Sequence, residues 1–324
     1  MAAIEVRELR KQYGAIEAVQ GVSFDVQAGE VFALLGPNGA GKSTTVEILE
    51  GHREPTSGTA SVLGLDPAVA GRELRDRIGI VLQSSGIEDE LTVLEALDLY
   101  SCGYSNPRDP QDVLNLVGLS GEGDRRVKKL SGGQQRRIDL ALGLVGDPEV
   151  LFLDEPTTGF DPAARRKSWE LIAGLRSLGT TIMLTTHYME EAEYLADRVA
   201  VIVDGQIVAE GTPDDLMESS GRTVVMFRVK PDDSLDGIPL DDVELRGTEV
   251  RATTDEPTRT LHEVTGWALE QGIELLDLSA RRPSLEDVYL QLAYPDVDDG
   301  DSSHSAAAAV ASSVSSDDDH EGGG

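Results

Sequence analysis

Residues Gly36–Thr44 read GPNGAGKST and fall between a short apolar run, Val31–Leu35, and a segment with helical spacing, TTVEIL. Strand, glycine-rich loop and helix in that order are what a phosphate cradle needs, and the order directs the chain toward a parallel α/β sheet. Gly36, Gly39 and Gly41 let the backbone turn tightly so that successive N–H groups point inward, and the new helix adds the partial positive charge of its N-terminus. Lys42 is placed to reach the β- and γ-phosphates, and Ser43 supplies a hydroxyl to Mg²⁺. A glycine-rich turn beside a surface lysine is the plainer alternative. GxxxxGK followed by Ser or Thr arises by chance in only about 1% of chains this long, which favours the phosphate site. The motif alone does not say which nucleotide binds or what reaction follows.

A chain of 324 residues is long enough for about two domains, each with its own core. No uncharged apolar run approaches the ~18 residues of a membrane span, and MAAIEVRELRK carries charges where a signal peptide has its apolar core. A place at the cytoplasmic face of a membrane, reached through a partner, is therefore expected. The formal net charge of −31 opposes nucleic acid or anionic lipid as a broad-surface partner. The one cysteine, Cys102, excludes an internal disulfide and a cysteine-based metal cluster.

Alternating patterns at residues 4–9 (IEVREL) and 22–26 (VSFDV) predict an antiparallel layer, with Tyr13 beside Gly14 in a turn between them. Residues 78–83 (IGIVLQ) read as a buried strand ending at Gln83. Amphipathic helices are expected over 88–99 and 110–119, and a further helix begins at a cap-like Ser131 and runs to about Gly146. Residues 88–146 thus form a helical insert. VLFL (150–153) is a central parallel strand, followed by a helix over 162–178, a strand ending at His187, the helix MEEAEYLAD and the strand RVAVIVDG.

Asp154 and Glu155 follow VLFL directly, at the strand end that faces the phosphate loop in folds of this class. There Asp154 can hold Mg²⁺ and Glu155 can orient an attacking water. Taken alone the pair is no more than a solvated strand end. LSGGQQRR (130–137) sets two glycines after Ser131 at a helix start, which makes a second anion-facing helix N-terminus beyond the insert.

With these residues together, the chain resembles the ATP-binding subunit of an ATP-binding-cassette transporter over about residues 4–216. GPNGAGKST resembles the family's Walker A motif, LSGGQQRR its signature, VLFLDEP its Walker B, and TTGFD, with Asp161, its D-loop. Gln83 falls at the Q-loop, His187 at the switch histidine, and Tyr13 where an aromatic stacks on adenine. Phe160 stands where leucine is commoner, an apolar exchange. The resemblance implies ATP and Mg²⁺ held by Gly36, Pro37, Asn38, Gly39, Ala40, Gly41, Lys42, Ser43 and Thr44, with Ser43, Gln83 and Asp154 around the metal. It implies two subunits, as a homodimer packed head to tail, so that Ser131, Gly132, Gly133 and Gln134 of one close on the γ-phosphate held by the other. Glu155, His187, Lys42 and Gln83 are the implied catalytic set. Asp161 would cross the seam, and Gln83 would couple to an integral-membrane permease.

THYMEEAEYLADRVAVIVDGQIVAEGTPDDL and the later SLEDVYLQL resemble the daunorubicin-resistance-like drug-export branch. An uptake-transporter ATPase is the alternative nearest to this, and a non-transport cassette ATPase the next. The fold class expected is α/β: a phosphate-loop NTPase cassette (1–219) with an antiparallel β layer and helical insert, a small α+β C-terminal domain (220–294), and a disordered acidic tail (295–324). From Asp296 onward there are seven Asp, one Glu and no Lys or Arg.

Overall fold

A strand covered on both faces has no solvent side to mark with polar residues, so the continuous apolar runs of this chain become the strands of a central sheet. The computed structural model describes residues 2–81, 86–176, 179–219, 223–231, 233–241 and 243–293. Gln83 and the acidic tail lie outside these residues. The chain opens with β1 (Ala2–Tyr13), β2 (Ile16–Gln27), β3 (Val31–Leu35), α1 (Lys42–Leu49), β4 (Ser57–Val62), α2 (Pro67–Ala70), α3 (Arg72–Arg75) and β5 (Ile78–Val81). It continues with α4 (Val93–Ser101), α5 (Pro110–Leu116), α6 (Gly132–Leu144), β6 (Val150–Asp154), α7 (Pro162–Arg176), β7 (Thr181–Thr186), α8 (Met189–Leu195), β8 (Arg198–Val203), β9 (Gln206–Gly211) and α9 (Pro213–Ser219). The last part holds β10 (Thr223–Arg228), β11 (Glu244–Arg246), β12 (Glu249–Thr254), α10 (Pro257–Gln271), β13 (Leu276–Arg281) and α11 (Leu285–Ala293).

The six-stranded sheet has the order β5-β6-β7-β3-β8-β9, parallel except for β9. β3 is interior, and all five of its residues are buried. The registers Leu35↔Thr186 and Asp154↔Thr185 bring the C-terminal ends of β3, β6 and β7 side by side. A three-stranded antiparallel sheet, β2-β1-β4, packs over it, with Phe24 stacked on Phe32 at 5.1 Å between ring centroids. β1 and β2 are longer than the alternation alone indicates. They run on to a tight turn at Gly14 (φ 59), so Tyr13 ends β1 at the hairpin tip.

In the helical insert, the helix expected from residue 88 begins only at Val93. Thr92 and Glu95 form a reciprocal capping box that fixes the helix start, while Glu90 pairs with Arg126 and Lys128 instead. α6 lies directly against β5 through two glycines. A Cβ on Gly79 would stand 2.0 Å from the Gly143 carbonyl, and one on Gly143 would stand 2.6 Å from Val81. This backbone contact sets how closely the C-terminal end of α6 approaches the sheet.

β10–β13 form a separate antiparallel sheet, β11-β12-β10-β13, with its own small core around Val225, Phe227, Val250 and Val264. After α10 the next strand starts only at Leu276, because Gly272 (φ 67) ends the helix in a left-handed cap and Ile273 donates back to the Ala268 carbonyl. α11 leaves this sheet. Its Leu285 and Tyr289 join the core that holds Leu195 and Leu216, and the Leu285 N–H donates to Glu193 of α8 at 2.7 Å. Asp287, 4% exposed, accepts from the Ser284 N–H and pairs with Arg251 and Arg281. Burial is the largest influence on its carboxyl and acts upward, yet the Ser284 and Arg281 hydrogen bonds and the Arg251 charge together hold it below the usual carboxylate range.

At the far end of α1, Glu50 is 5% exposed, with Oε2 3.2 Å from His52 Nδ1. Burial, then the nearby charges of Asp154 and Glu47, push its carboxyl up from 4.5 to about 8. Across that window the folded protein keeps a proton that the unfolded chain releases, so stability falls as pH rises from 4.5 to 8 and is level above. Glu50→Gln should therefore be more stable than the parent at pH 8, by about 1 kcal/mol or more, with the two converging toward pH 4.5; denaturant titrations across pH 5–9 measure it. Gly79→Ala should cost about 2–3 kcal/mol in the same assay, since the clash is with a backbone carbonyl that cannot rotate away.

Candidate functional site

The loop that follows β3 is held by contacts only glycine permits. A Cβ on Gly36 would lie 2.2 Å from the Ile202 carbonyl, and one on Gly41 would lie 2.3 Å from that of Ala18. Gly41 also takes φ 101, as the residue that opens α1, and it offers no side-chain cap. The first-turn N–H groups of α1 are thus left for an external acceptor. The Gly36 N–H donates to Thr186 and the Gly205 N–H to the Ala40 carbonyl, tying the loop to β7 and to the turn after β8. Pro37, Asn38 and Gly39 (φ 85) span its crest, and Thr44 lies in the first turn of α1.

Lys42 is 4% exposed and folds back over this loop, donating to the carbonyls of Gly36 (2.8 Å) and Pro37 (3.0 Å). Its ammonium lies 3.8 Å from Glu155 Oε1. Burial lowers its pKa, against the opposing pull of Glu155 and Asp154. Ser43 Oγ sits 3.4 and 3.5 Å from the two oxygens of Asp154, and the Thr185 hydroxyl donates to the same carboxylate. Glu155 follows in the left-handed region (φ 46), its N–H donating to the Thr185 carbonyl and hydroxyl, both at 3.1 Å. Its Oε1 is 3.1 Å from His187 Nδ1, and its Oε2 accepts the Thr158 hydroxyl at 3.1 Å. The fold therefore gathers Lys42, Ser43, Asp154, Glu155 and His187 into one cluster, from three separate stretches of sequence.

The other expected residues are placed differently. Ser131 and Gln134 complete a capping box on α6, with the Gln134 N–H on Ser131 Oγ at 3.3 Å and the Ser131 N–H on Gln134 Oε1 at 3.0 Å. Gln134 also donates to Glu122, while Gly132 and Gly133 have open space where a Cβ would go. Among the described residues no hydrogen bond or ion pair joins this turn to the loop of its own chain. Tyr13 is 39% exposed at the hairpin tip, with Lys11 and Arg53 5.2 and 5.6 Å from its ring centre. Asp161 caps α7, accepting from the Ala163 and Ala164 N–H groups at 2.9 Å each. Gln83 lies outside the described residues.

Arg136 is a contact that sequence reading missed. From α6 it reaches the carbonyls of Pro156 (3.1 Å) and Glu155 (3.5 Å), linking the LSGGQQRR helix to the segment that follows β6 in the same chain. Backbone acceptors leave no residue pattern, so no sequence signal pointed to it. Among the described residues no group of three or more His, Cys, Asp or Glu side chains could hold a metal ion. The Ser43–Asp154 pair suits a hard cation only as part of a shell completed by phosphate oxygens and water.

Residues 19–158 match the ABC transporter family, and residues 223–284 match the C-terminal domain of ABC transporter domain-containing proteins. The Nod factor export ATP-binding protein I of Burkholderia lata is 38% identical over 309 residues, covering 92% of this chain and 99% of that one. The daunorubicin/doxorubicin resistance ATP-binding protein DrrA of Streptomyces peucetius is 37% identical over 311 residues, covering 92% and 94%. Among solved structures, a dimeric bacterial ABC transporter cassette aligns with TM-score 0.57 and 27% identity, covering 64% of this chain and 98% of that one. With a phosphate loop, two carboxylates and a histidine converging as they do here, the chain belongs to the ABC transporter family, as an ATP-binding subunit that hydrolyses ATP.

Proposed function

We propose that two copies of this subunit close head to tail on two ATP molecules, and that closure drives an integral-membrane permease exporting a drug-like or lipid-like molecule. The observation that carries this reading is the separation of two half-sites. Lys42, Ser43, Asp154, Glu155 and His187 lie together, whereas the Ser131–Gln134 turn offers its glycine N–H groups elsewhere. A second copy would supply that turn to the γ-phosphate. The dimeric relative and the export proteins among the close relatives support it.

In this reading Gly36–Thr44 wraps the phosphates, and Lys42 exchanges its two carbonyl acceptors for phosphate oxygens. Burial strengthens that exchange, since a desolvated ammonium gains more from an anion than a hydrated one. Ser43 and Asp154 would hold Mg²⁺ with Gln83, and the metal would neutralise charge on the β- and γ-oxygens. Glu155 accepts a hydrogen bond from the attacking water, and His187, already on Glu155, bridges to the γ-phosphate. Tyr13 stacks on adenine, and Asp161 at the start of α7 faces the opposing subunit. Little covalent chemistry is required of the protein, because phosphoryl transfer to water is governed by positioning and charge.

No helix among the described residues is long and apolar enough to cross a membrane, so transport calls for a separate permease. A cleft of about 550 Å³ between α3, β5 and α4 is suited to a cytoplasmic segment of such a partner. Arg72, Arg75, Tyr100, Cys102, Tyr104 and Leu142 line it. Arginine and tyrosine beside apolar surface are the residue types that anchor protein interfaces. Contact there would hold the subunit at the cytoplasmic face of the membrane.

Glu155→Gln should keep ATP binding, accumulate as a nucleotide-bound dimer on size exclusion, and lose turnover by roughly a hundredfold or more. Brisk hydrolysis by that variant would overturn the water-orienting role. Cys102 is exposed and is the only cysteine, so it serves as a native reporter of the cleft. Maleimide labelling of Cys102 should slow at least about fivefold in the permease-bound complex, and an unchanged rate would place the docking surface elsewhere.

A further inference from the structure

α8 and the segment after β6 meet at two levels. The outer one is the 3.1 Å contact between His187 and Glu155. The inner one belongs to Glu191, four residues past His187 and fully buried. Its Oε1 accepts the Thr157 hydroxyl at 2.7 Å and the Trp169 indole N–H at 2.9 Å. Thr157 is itself 0% exposed and lies two residues after Glu155. The two contacts are parallel rungs between the same two segments.

A carboxylate wholly out of water is costly unless both oxygens are satisfied, and here only one is. Oε2 of Glu191 is buried with no hydrogen-bond partner in the structure. A group held at that cost is retained for what its other oxygen does, which is to accept from two buried donors. What Oε1 does supply is an external anchor for Thr157. Glu155 needs one, because its left-handed backbone (φ 46) persists only where the surroundings over-determine it. On the near side the Glu155 N–H is fixed on Thr185, and Arg136 holds the carbonyls of Glu155 and Pro156. On the far side the Thr157 hydroxyl is the next side-chain tether. α8 is braced against α7 in turn, with Arg165 over the Tyr188 ring at 4.0 Å and Trp169 stacked on Tyr194 at 5.4 Å.

We propose that Glu191 is a positioning residue for ATP hydrolysis: through Thr157 it fixes the Glu155 backbone and so sets the Glu155 carboxylate against His187. The inference rests on Glu155 being the water-orienting group. Glu191 makes no contact with Lys42 or Ser43 among its hydrogen bonds, so its loss should fall on kcat and spare the KM for ATP.

Steady-state ATP hydrolysis by the full chain tests this with four variants. Thr157→Val deletes one hydroxyl, and Glu191→Leu removes the anchor at similar volume. Each should lower kcat roughly tenfold, with KM for ATP within about twofold of the parent. Glu191→Gln keeps a carbonyl at the Oε1 position and loses nothing at Oε2, so it should restore kcat to within about threefold. Because Glu191→Leu strands two buried donors and can unfold, Thr157→Val carries the test alone if it does. Parental kcat in Thr157→Val, a Gln variant no better than Leu, or a rise in KM at unchanged kcat would each overturn the role. Glu155→Gln separates the two readings. If it is inactive while Thr157→Val is normal, only the Glu191 inference fails; if it turns over briskly, the role of Glu155 fails and this inference with it.

Discussion

Two backbone contacts without side chains hold the active region in place: Gly36 against the Ile202 carbonyl and Gly41 against that of Ala18. They wedge the phosphate loop between β8 of the parallel sheet and β2 of the antiparallel layer, so the layer serves as the loop's outer wall. Because the loop is wedged between these carbonyls and hydrogen-bonded to Thr186 and Gly205, the N–H groups at the start of α1 are aimed before any anion arrives. Organisation of this kind is what electrostatic catalysis requires, since dipoles already in place need not reorient during the reaction. The register of β3, β6 and β7 then brings Asp154, Glu155 and His187 to the same rim.

Charge at that rim is balanced but not neutral. One buried ammonium, Lys42, faces two carboxylates, and a third carboxyl, Glu50, lies close enough for Asp154 to raise its pKa. In the proposed reading that excess negative charge would favour a divalent cation, and its accompanying phosphates would find their counter-charges in Lys42 and the helix N-terminus. Arg136 adds a mechanical link rather than a charge. It ties the helix that carries LSGGQQRR to the carbonyls of Glu155 and Pro156 in the same subunit.

Much of this was legible in the sequence because it is written in residue types at fixed spacing. GPNGAGKST, VLFLDE and LSGGQQRR each follow or precede an apolar run whose period names its element, and the parallel sheet followed from their alternation with helices. Contacts whose partners are far apart in sequence or are backbone atoms stayed hidden. Glu191 meets Thr157 across 34 residues and Arg136 meets carbonyls, and neither leaves a local pattern. MEEAEYL reads as an ordinary amphipathic helix, and only burial shows that one of its three glutamates faces inward. Ahead of Val93, Glu88, Glu90 and Leu91 have good helix propensity, which draws the expected start too early, and the Thr92–Glu95 capping box overrides it. The buried state of Glu50 was equally invisible, since the position after a helix is as often solvated as not.

The placement of α11 bears on how this protein is made. Leu285 and Tyr289 complete a core otherwise built from residues up to Leu216, and Leu285 is fastened to the helix that begins two residues after His187. During synthesis the phosphate loop, both carboxylates and the histidine all leave the ribosome well before α11 does. Until that helix arrives, Leu195 and Leu216 lack part of their cover and α8 lacks its Glu193 bond. Translation order thus leaves this part of the core, and the bond that fastens α8, unfinished until almost the whole described chain has emerged.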